Sequence, residues 1–106
     1  MLSEAIIATL KSNWGDRATC MACFAEVKFI DELSGWSCYI LAMNPDNEDE
    51  IACIVKGFDV ELCTWSLREL KQSYNSIGEA PCIDLEYRRV RALELFKRLS
   101  YDRGRS

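Results

Sequence analysis

The stretch WSCYILAMNPDNEDEIACIVKG, residues 36–57, decides the fold. Two apolar runs, WSCYILAM (36–43) and IACIVKG (51–57), flank the polar stretch NPDNEDE (44–50), which carries four carboxylates. WSCYILAM is apolar on both faces of an extended chain, so it reads as a central strand. IACIVKG is a second β-type run. Joined by NPDNEDE, the two predict an antiparallel hairpin with a seven-residue polar loop. Asn44-Pro45 closes the first strand and Ile51 starts the next.

Upstream, Cys23, Ala25, Val27 and Phe29 alternate with Phe24, Glu26, Lys28 and Ile30, the period of a half-buried strand, and DELSG (31–35) follows as a turn. Downstream, VELCTW (60–65) puts Val60, Leu62 and Thr64 on one face and Glu61, Cys63 and Trp65 on the other. Ser66 and Glu69 then have capping-box spacing, and Trp65 and Leu70 stand where a hydrophobic staple forms, which predicts a helix over 67–74. NSIGEAP (75–81) reads as a loop and CIDLEY (82–87) as a short last strand. Val90, Leu93, Leu95 or Phe96, and Leu99 mark an Arg-rich amphipathic helix, with SYDRGRS (100–106) as a frayed tail. At the other end, Ser3 caps a helix with Ile6, Ile7, Leu10 and Trp14 on one face and Gly15 as its stop.

This order predicts an α+β fold: a small, mostly antiparallel sheet of three to five strands with helices packed on one face. The 106 residues form one domain, 1–106, with an apolar share of 49% that supports a core without staples. No apolar run approaches the ~18 residues of a membrane span. The N-terminal MLSEAIIATLKSNWG lacks a basic region and a cleavage site. A cytoplasmic chain with no membrane partner is therefore expected.

In that setting the six cysteines are expected as free thiols. Cys38, Cys53 and Cys63 sit in apolar or alternating runs, where Cys acts as a small hydrophobe. Cys20 and Cys23 have C-x-x-C spacing, but no second such pair and no His exist to complete a zinc site, so they are weak metal candidates. A redox motif of the thioredoxin type lies between a strand and a helix, whereas this pair precedes a strand. Counting from Asp46, the sixth position is Ile51, so the acidic stretch is not an EF-hand loop. Without His the commonest general base is missing, and the glycines are scattered singly rather than grouped in a phosphate loop. The chain is expected to be no enzyme and to need no cofactor; a metal- or carboxylate-dependent enzyme is the minor alternative.

Charge is strongly polarised. Residues 31–61 carry eight acids against the single base Lys56, a net of −7, whereas residues 86–106 carry seven bases against three acids, a net of +4. Such poles steer charged partners and can pair two copies head to tail.

The stretches EVKFIDELSGWSCYI (26–40) and IVKGFDVELCTWSLREL (54–70) resemble the small proteins grouped as domain of unknown function 2958. Lys28-Phe29, Trp36 and Tyr39 match that family's opening motif. Gly57, Glu61, Leu62, Ser66, Leu67, Glu69 and Leu70 match its central block, and Ile83-Asp84-Leu85-Glu86-Tyr87 echo a late one. Cys63 departs from the family's usual Gly, and the Arg-rich segment 88–98 is not a family hallmark. The resemblance implies a setting in bacterial mobile elements and phages, and no activity.

Two functions are expected from these features. The first is a non-enzymatic interaction module of a mobile element, such as a counter-defence inhibitor of a restriction or CRISPR effector. It would meet a basic partner surface through Asp46, Glu48, Asp49, Glu50, Asp59 and Glu61. The second is a nucleic-acid-binding accessory protein using Arg88, Arg89, Arg91, Lys97 and Arg98, with Arg103 and Arg105 in the tail. A homodimer is compatible with either.

Overall fold

The computed structural model describes residues 2–31, 34–73, 75–76, 80–81 and 83–105. The hairpin of residues 36–57 is its centre, built from β3 (Ser37–Asn44) and β4 (Asn47–Lys56). Flanking strands β2 (Val27–Ile30) and β5 (Val60–Ser66) complete an antiparallel sheet in the order β2-β3-β4-β5. Helices α1 (Glu4–Ser12), α2 (Arg17–Ala22), α3 (Leu67–Ser73) and α4 (Ala92–Arg105) pack around it. The architecture is α+β, as expected.

Helices cover both faces of the sheet, not one. Side chains alternate along each strand, and every strand of the hairpin sends apolar residues both ways. Tyr39, Leu41, Ala42, Ala52 and Ile54 pack with Cys20 and Met21 of α2 and Ala92, Leu95 and Leu99 of α4. Cys38, Ile40, Met43, Ile51 and Cys53 pack with Val27, Phe29, Leu10 of α1 and Leu70 of α3. Leu41 and Ala42 share a face because a bulge leaves Leu41 without a partner on β4: Ile40 pairs with Cys53 and Ala42 with Ala52. The Leu41 carbonyl accepts instead from Asn13 Nδ2, at 3.1 Å.

The loop of the hairpin is shorter than the expected seven residues. Pro45-Asp46 forms the turn, Asn44 pairs with Asn47, and β4 has already begun. Polar side chains do not prevent strand pairing at a sheet end where they reach water.

Other boundaries follow local hydrogen bonding. The N-cap at Ser3 holds, its Oγ accepting from the Ile6 amide at 3.2 Å, but α1 ends at Ser12 with Asn13 as C-cap, ahead of Gly15. The upstream strand breaks at Glu26 into β1 (Phe24–Ala25) and β2. Within the 31–35 turn Gly35 takes φ 78°, a left-handed conformation that glycine adopts without strain; Glu32 and Leu33 lie outside the described residues. Residues 83–87 do not form the expected strand. Cys82 lies outside the described residues, Ile83 makes a single bridge to Phe29, and Asp84 then turns the chain by accepting the Glu86 amide on its side chain at 3.0 Å. That one bridge, with the Asp84 amide donating to the Lys28 carbonyl at 3.0 Å, covers part of the β2 edge.

The stretch read as the loop 75–81 contains a pair of two-residue strands, β6 (Asn75–Ser76) and β7 (Ala80–Pro81), with Tyr74 and residues 77–79 outside the described set. Val90 belongs to β8 (Val90–Arg91), paired with β1, rather than to the last helix. The buried face of α4 is therefore Ala92, Leu95 and Leu99, with Leu93 left 48% exposed, and the helix runs on through Arg105, where a frayed tail was expected. Ser106 lies outside the described residues.

Candidate interaction surface

The six acids of the expected partner surface fall into two groups at opposite ends of β4. Four of them, Asp46, Glu48, Asp49 and Glu50, surround the β3–β4 turn, whereas Asp59 and Glu61 lie at the β4–β5 turn. Eight-residue β3 runs between the same two turns, so at about 3.3 Å per residue they stand roughly 20 Å apart. The six acids therefore do not share one end of the sheet.

At the first end the carboxylates serve the fold. Met43 pairs with Ile51 and Asn44 with Asn47, so Glu48, Asp49 and Glu50 form a three-residue bulge with no partner on β3. Glu48 forms an ion pair with Lys11 of α1. Glu50 accepts from Asn44 Nδ2 at 2.9 Å. Asp49 accepts from Ser66 Oγ at 2.6 Å and from the Arg68 amide at 2.9 Å, which makes it a cap for α3 supplied by a distant strand. The expected capping box is thus only half formed. Ser66 Oγ accepts the Glu69 amide at 3.2 Å, while the Glu69 carboxylate turns to Trp65 Nε1 at 3.1 Å. Asp46 remains exposed at the turn, its amide donating to Asn44 Oδ1 at 2.9 Å.

The hydrogen bond from Ser66, followed by that from the Arg68 amide, holds the Asp49 carboxyl below the ordinary carboxylate range. Its folded-state pKa is depressed, so the stability it contributes is present above the unfolded pKa and is lost as pH falls through the folded one. The variant Asp49→Asn should be less stable than the parent near neutrality, and the difference should shrink as pH falls through and below the ordinary carboxylate range. Urea midpoints for both proteins across that range check it; a constant difference would assign the effect to geometry rather than charge.

At the second end an aromatic pair stands beside Asp59 and Glu61. Gly57 lies flat against Trp36: a Cβ there would stand 2.7–2.8 Å from three atoms of the Trp36 ring. This close approach lets the next residue, Phe58, set its ring edge-on to Trp36, with centroids 5.2 Å apart and planes at 78°. Phe58 is nonetheless 79% exposed, and Asp59 and Glu61 beside it are exposed as well. Phe58 is not among the residues singled out from the sequence. The available signal was a large apolar residue in a turn of glycine and aspartate, where polar residues are the rule.

The basic residues also have local work. Arg89 and Arg91 stack on Phe24 at 4.1 and 4.9 Å from its centroid. Arg89 pairs with Glu26 at 2.7 Å, Arg91 donates to the Ala22 carbonyl at 3.1 Å, and Arg98 pairs with Glu94 at 2.8 Å. Arg88 and Lys97 are exposed.

Cys20 and Cys23 do not converge on a shared site. The Cys20 thiol is buried and donates to the Gly15 and Asn13 carbonyls, and Cys23 donates to the Thr19 carbonyl at 3.2 Å. A cleft of about 280 Å³ beside α2 is lined by Asp16, Arg17, Cys20, Ala52 and Leu62. Its carboxylate is committed, since Asp16 caps α2 by accepting the Thr19 amide at 2.8 Å. Among the described residues, no group of three or more Cys, Asp or Glu is placed to hold a metal ion. None of the described helices is long and apolar enough to cross a membrane. Comparison with family models, curated proteins and solved structures finds no match to this chain.

Proposed function

We propose that this protein is a non-enzymatic interaction module whose contact surface is the β4–β5 turn, with Phe58 as apolar anchor and Asp59 and Glu61 as acidic rim. The observation that carries the reading is the exposed Phe58 ring, held in place from behind by Trp36. An aromatic side chain already fixed before contact loses little entropy on binding, and such anchors dominate interface energies. The partner is a protein surface with an apolar pocket edged by Lys or Arg.

A counter-defence role is the narrower form of this proposal and rests only on the mobile-element setting that the resemblance of residues 26–40 and 54–70 implies, to which the comparison with family models adds nothing. A carboxylate row imitating phosphates receives less support, because Glu48, Asp49 and Glu50 are engaged within the fold. Nucleic-acid binding through the basic segment is the second expectation, and Arg88 and Lys97 are the bases best placed for it.

Affinity capture from the native host with the parent protein, Phe58→Ala, Glu61→Lys and Asp46→Asn tests the reading. A specific partner should be retained by Asp46→Asn and lost by Phe58→Ala, with at least about tenfold weaker binding, a cost near 1.4 kcal/mol. Glu61→Lys should weaken capture and reduce its salt sensitivity. Equal capture by Phe58→Ala overturns the assignment, and a gel shift with nucleic acid at low salt would favour the alternative.

A further inference from the structure

Three thiols form a row across the sheet on the face covered by α1 and α3: Cys38 on β3, Cys53 on β4 and Cys63 on β5. Neither the core packing nor the proposed contact surface requires sulfur at these positions. The β4–β5 register sets Cys53 directly opposite Cys63, with their sulfurs 4.0 Å apart. Cys38 is only a diagonal neighbour of Cys53, since Cys38 pairs with Val55 and Cys53 with Ile40.

Directly opposed residues of an antiparallel pair have Cα atoms about 4.5–5.5 Å apart, inside the range of about 4.4–6.8 Å that a disulfide spans. Diagonal neighbours stand about 7–8 Å apart, beyond it. The facing sulfurs, 4.0 Å apart, come within bonding distance by side-chain rotation with a small approach of the two strands, and Cys63 is half-buried while Cys53 is fully buried. A small reagent therefore meets Cys63 first and finds Cys53 behind it.

We propose that Cys53 and Cys63 form a dithiol modification site that a low-molecular-weight disulfide oxidises to a cross-strand bridge between β4 and β5. The Cys63 thiolate attacks one sulfur of the reagent, forming a mixed disulfide and expelling one thiolate. The Cys53 thiolate then attacks Cys63 Sγ, which forms the bridge and expels the second thiolate. The two protons from Cys53 and Cys63 end on the two released thiols. The protein loses two electrons and the reagent gains them.

Hydrogen bonding to Cys38 and burial raise the Cys53 thiol, and hydrogen bonding to Cys53 and burial raise Cys63. Both stay protonated near neutrality, so exchange is slow and accelerates about tenfold per pH unit as thiolate forms. This distinguishes the site from a fast peroxide-sensing thiol. The bridge closes a short loop around the turn at residues 57–59 and should raise the unfolding temperature by several degrees.

The test is incubation of the folded protein with oxidised glutathione at mildly alkaline pH, then tryptic digestion without reduction. Cleavage after Lys28, Lys56 and Arg68 separates peptide 29–56 from peptide 57–68. The expected product is these two peptides joined, with fragment spectra placing the bond at Cys53. The link should survive in Cys38→Ser. A bond through Cys38, glutathione retained on Cys63 beside a free Cys53, two joined copies of peptide 57–68, or unreacted Cys53 and Cys63 would each overturn the proposal. Because the bond is located in the parent protein, the result does not depend on a Cys53 variant folding.

Discussion

Ile40→Ala and Ile54→Ala should each lower stability by about 2–5 kcal/mol, the range for deleting a buried aliphatic side chain together with the cavity it leaves. The two isoleucines stand on adjacent strands, and both are completely buried. They point in opposite directions. Ile40 packs with Phe29, Leu10 and Leu70, and Ile54 packs with Met21, Leu41 and Leu95. A sheet with helices on one face only would expose one of the two, and its truncation would then cost less than about 0.5 kcal/mol. Chemical denaturation of both variants, at matched slopes, decides between the arrangements. With total stabilities of single domains near 5–15 kcal/mol, either loss should leave a visibly weakened fold.

Gly57→Ala should be strongly damaging for so small a substitution. The new methyl group would lie 2.7–2.8 Å from Trp36 ring atoms, closer than carbon atoms tolerate, and an indole ring is not a flexible tip that swings aside. Trp36 or the turn must move, at a cost of about 1–3 kcal/mol for overpacking. For a domain of this size, each 1 kcal/mol lowers the unfolding temperature by roughly 4–8 °C. Displacing Trp36 also removes the support under Phe58, so the near-ultraviolet circular dichroism of the aromatic pair should fall along with stability. A variant with parental unfolding temperature and an unchanged aromatic spectrum would show that the contact relaxes without cost. Partner binding should weaken in Gly57→Ala as well, even though Phe58 itself is intact.

Part of the order of elements was legible because it depends on short-range chemistry, although the six-residue helix α2 (Arg17–Ala22) is absent from the sequence reading. The two apolar runs around NPDNEDE, the cap at Ser3 and the helix start at Ser66 place elements where they are found, and the period-two run of 23–30 does so only in two pieces, β1 and β2. The two-faced burial of 36–43 was legible too, and it was in conflict with helices on one face only. A strand apolar on both sides needs cover on both sides, and the structure resolves the conflict that way. CIDLEY misled because its alternation is real but its setting is not. Asp84 bends the chain after one bridge, and Leu85 is left 91% exposed.

Composition and local pattern thus specified the antiparallel hairpin, the α+β class and the excess of negative charge in 31–61. They could not say where those charges would go, because a carboxylate's partner is chosen by distance in space. Asp49 lies nineteen residues from the Arg68 amide that it caps, and Glu48 lies thirty-seven residues from Lys11. Nor could the pattern show that Cys53 would face Cys63, since a slip of one residue in strand pairing would have sent them to opposite faces. Register and packing decided both matters. They turned an acidic stretch into a helix cap and a bulge, and left the Phe58 ring exposed at the opposite turn.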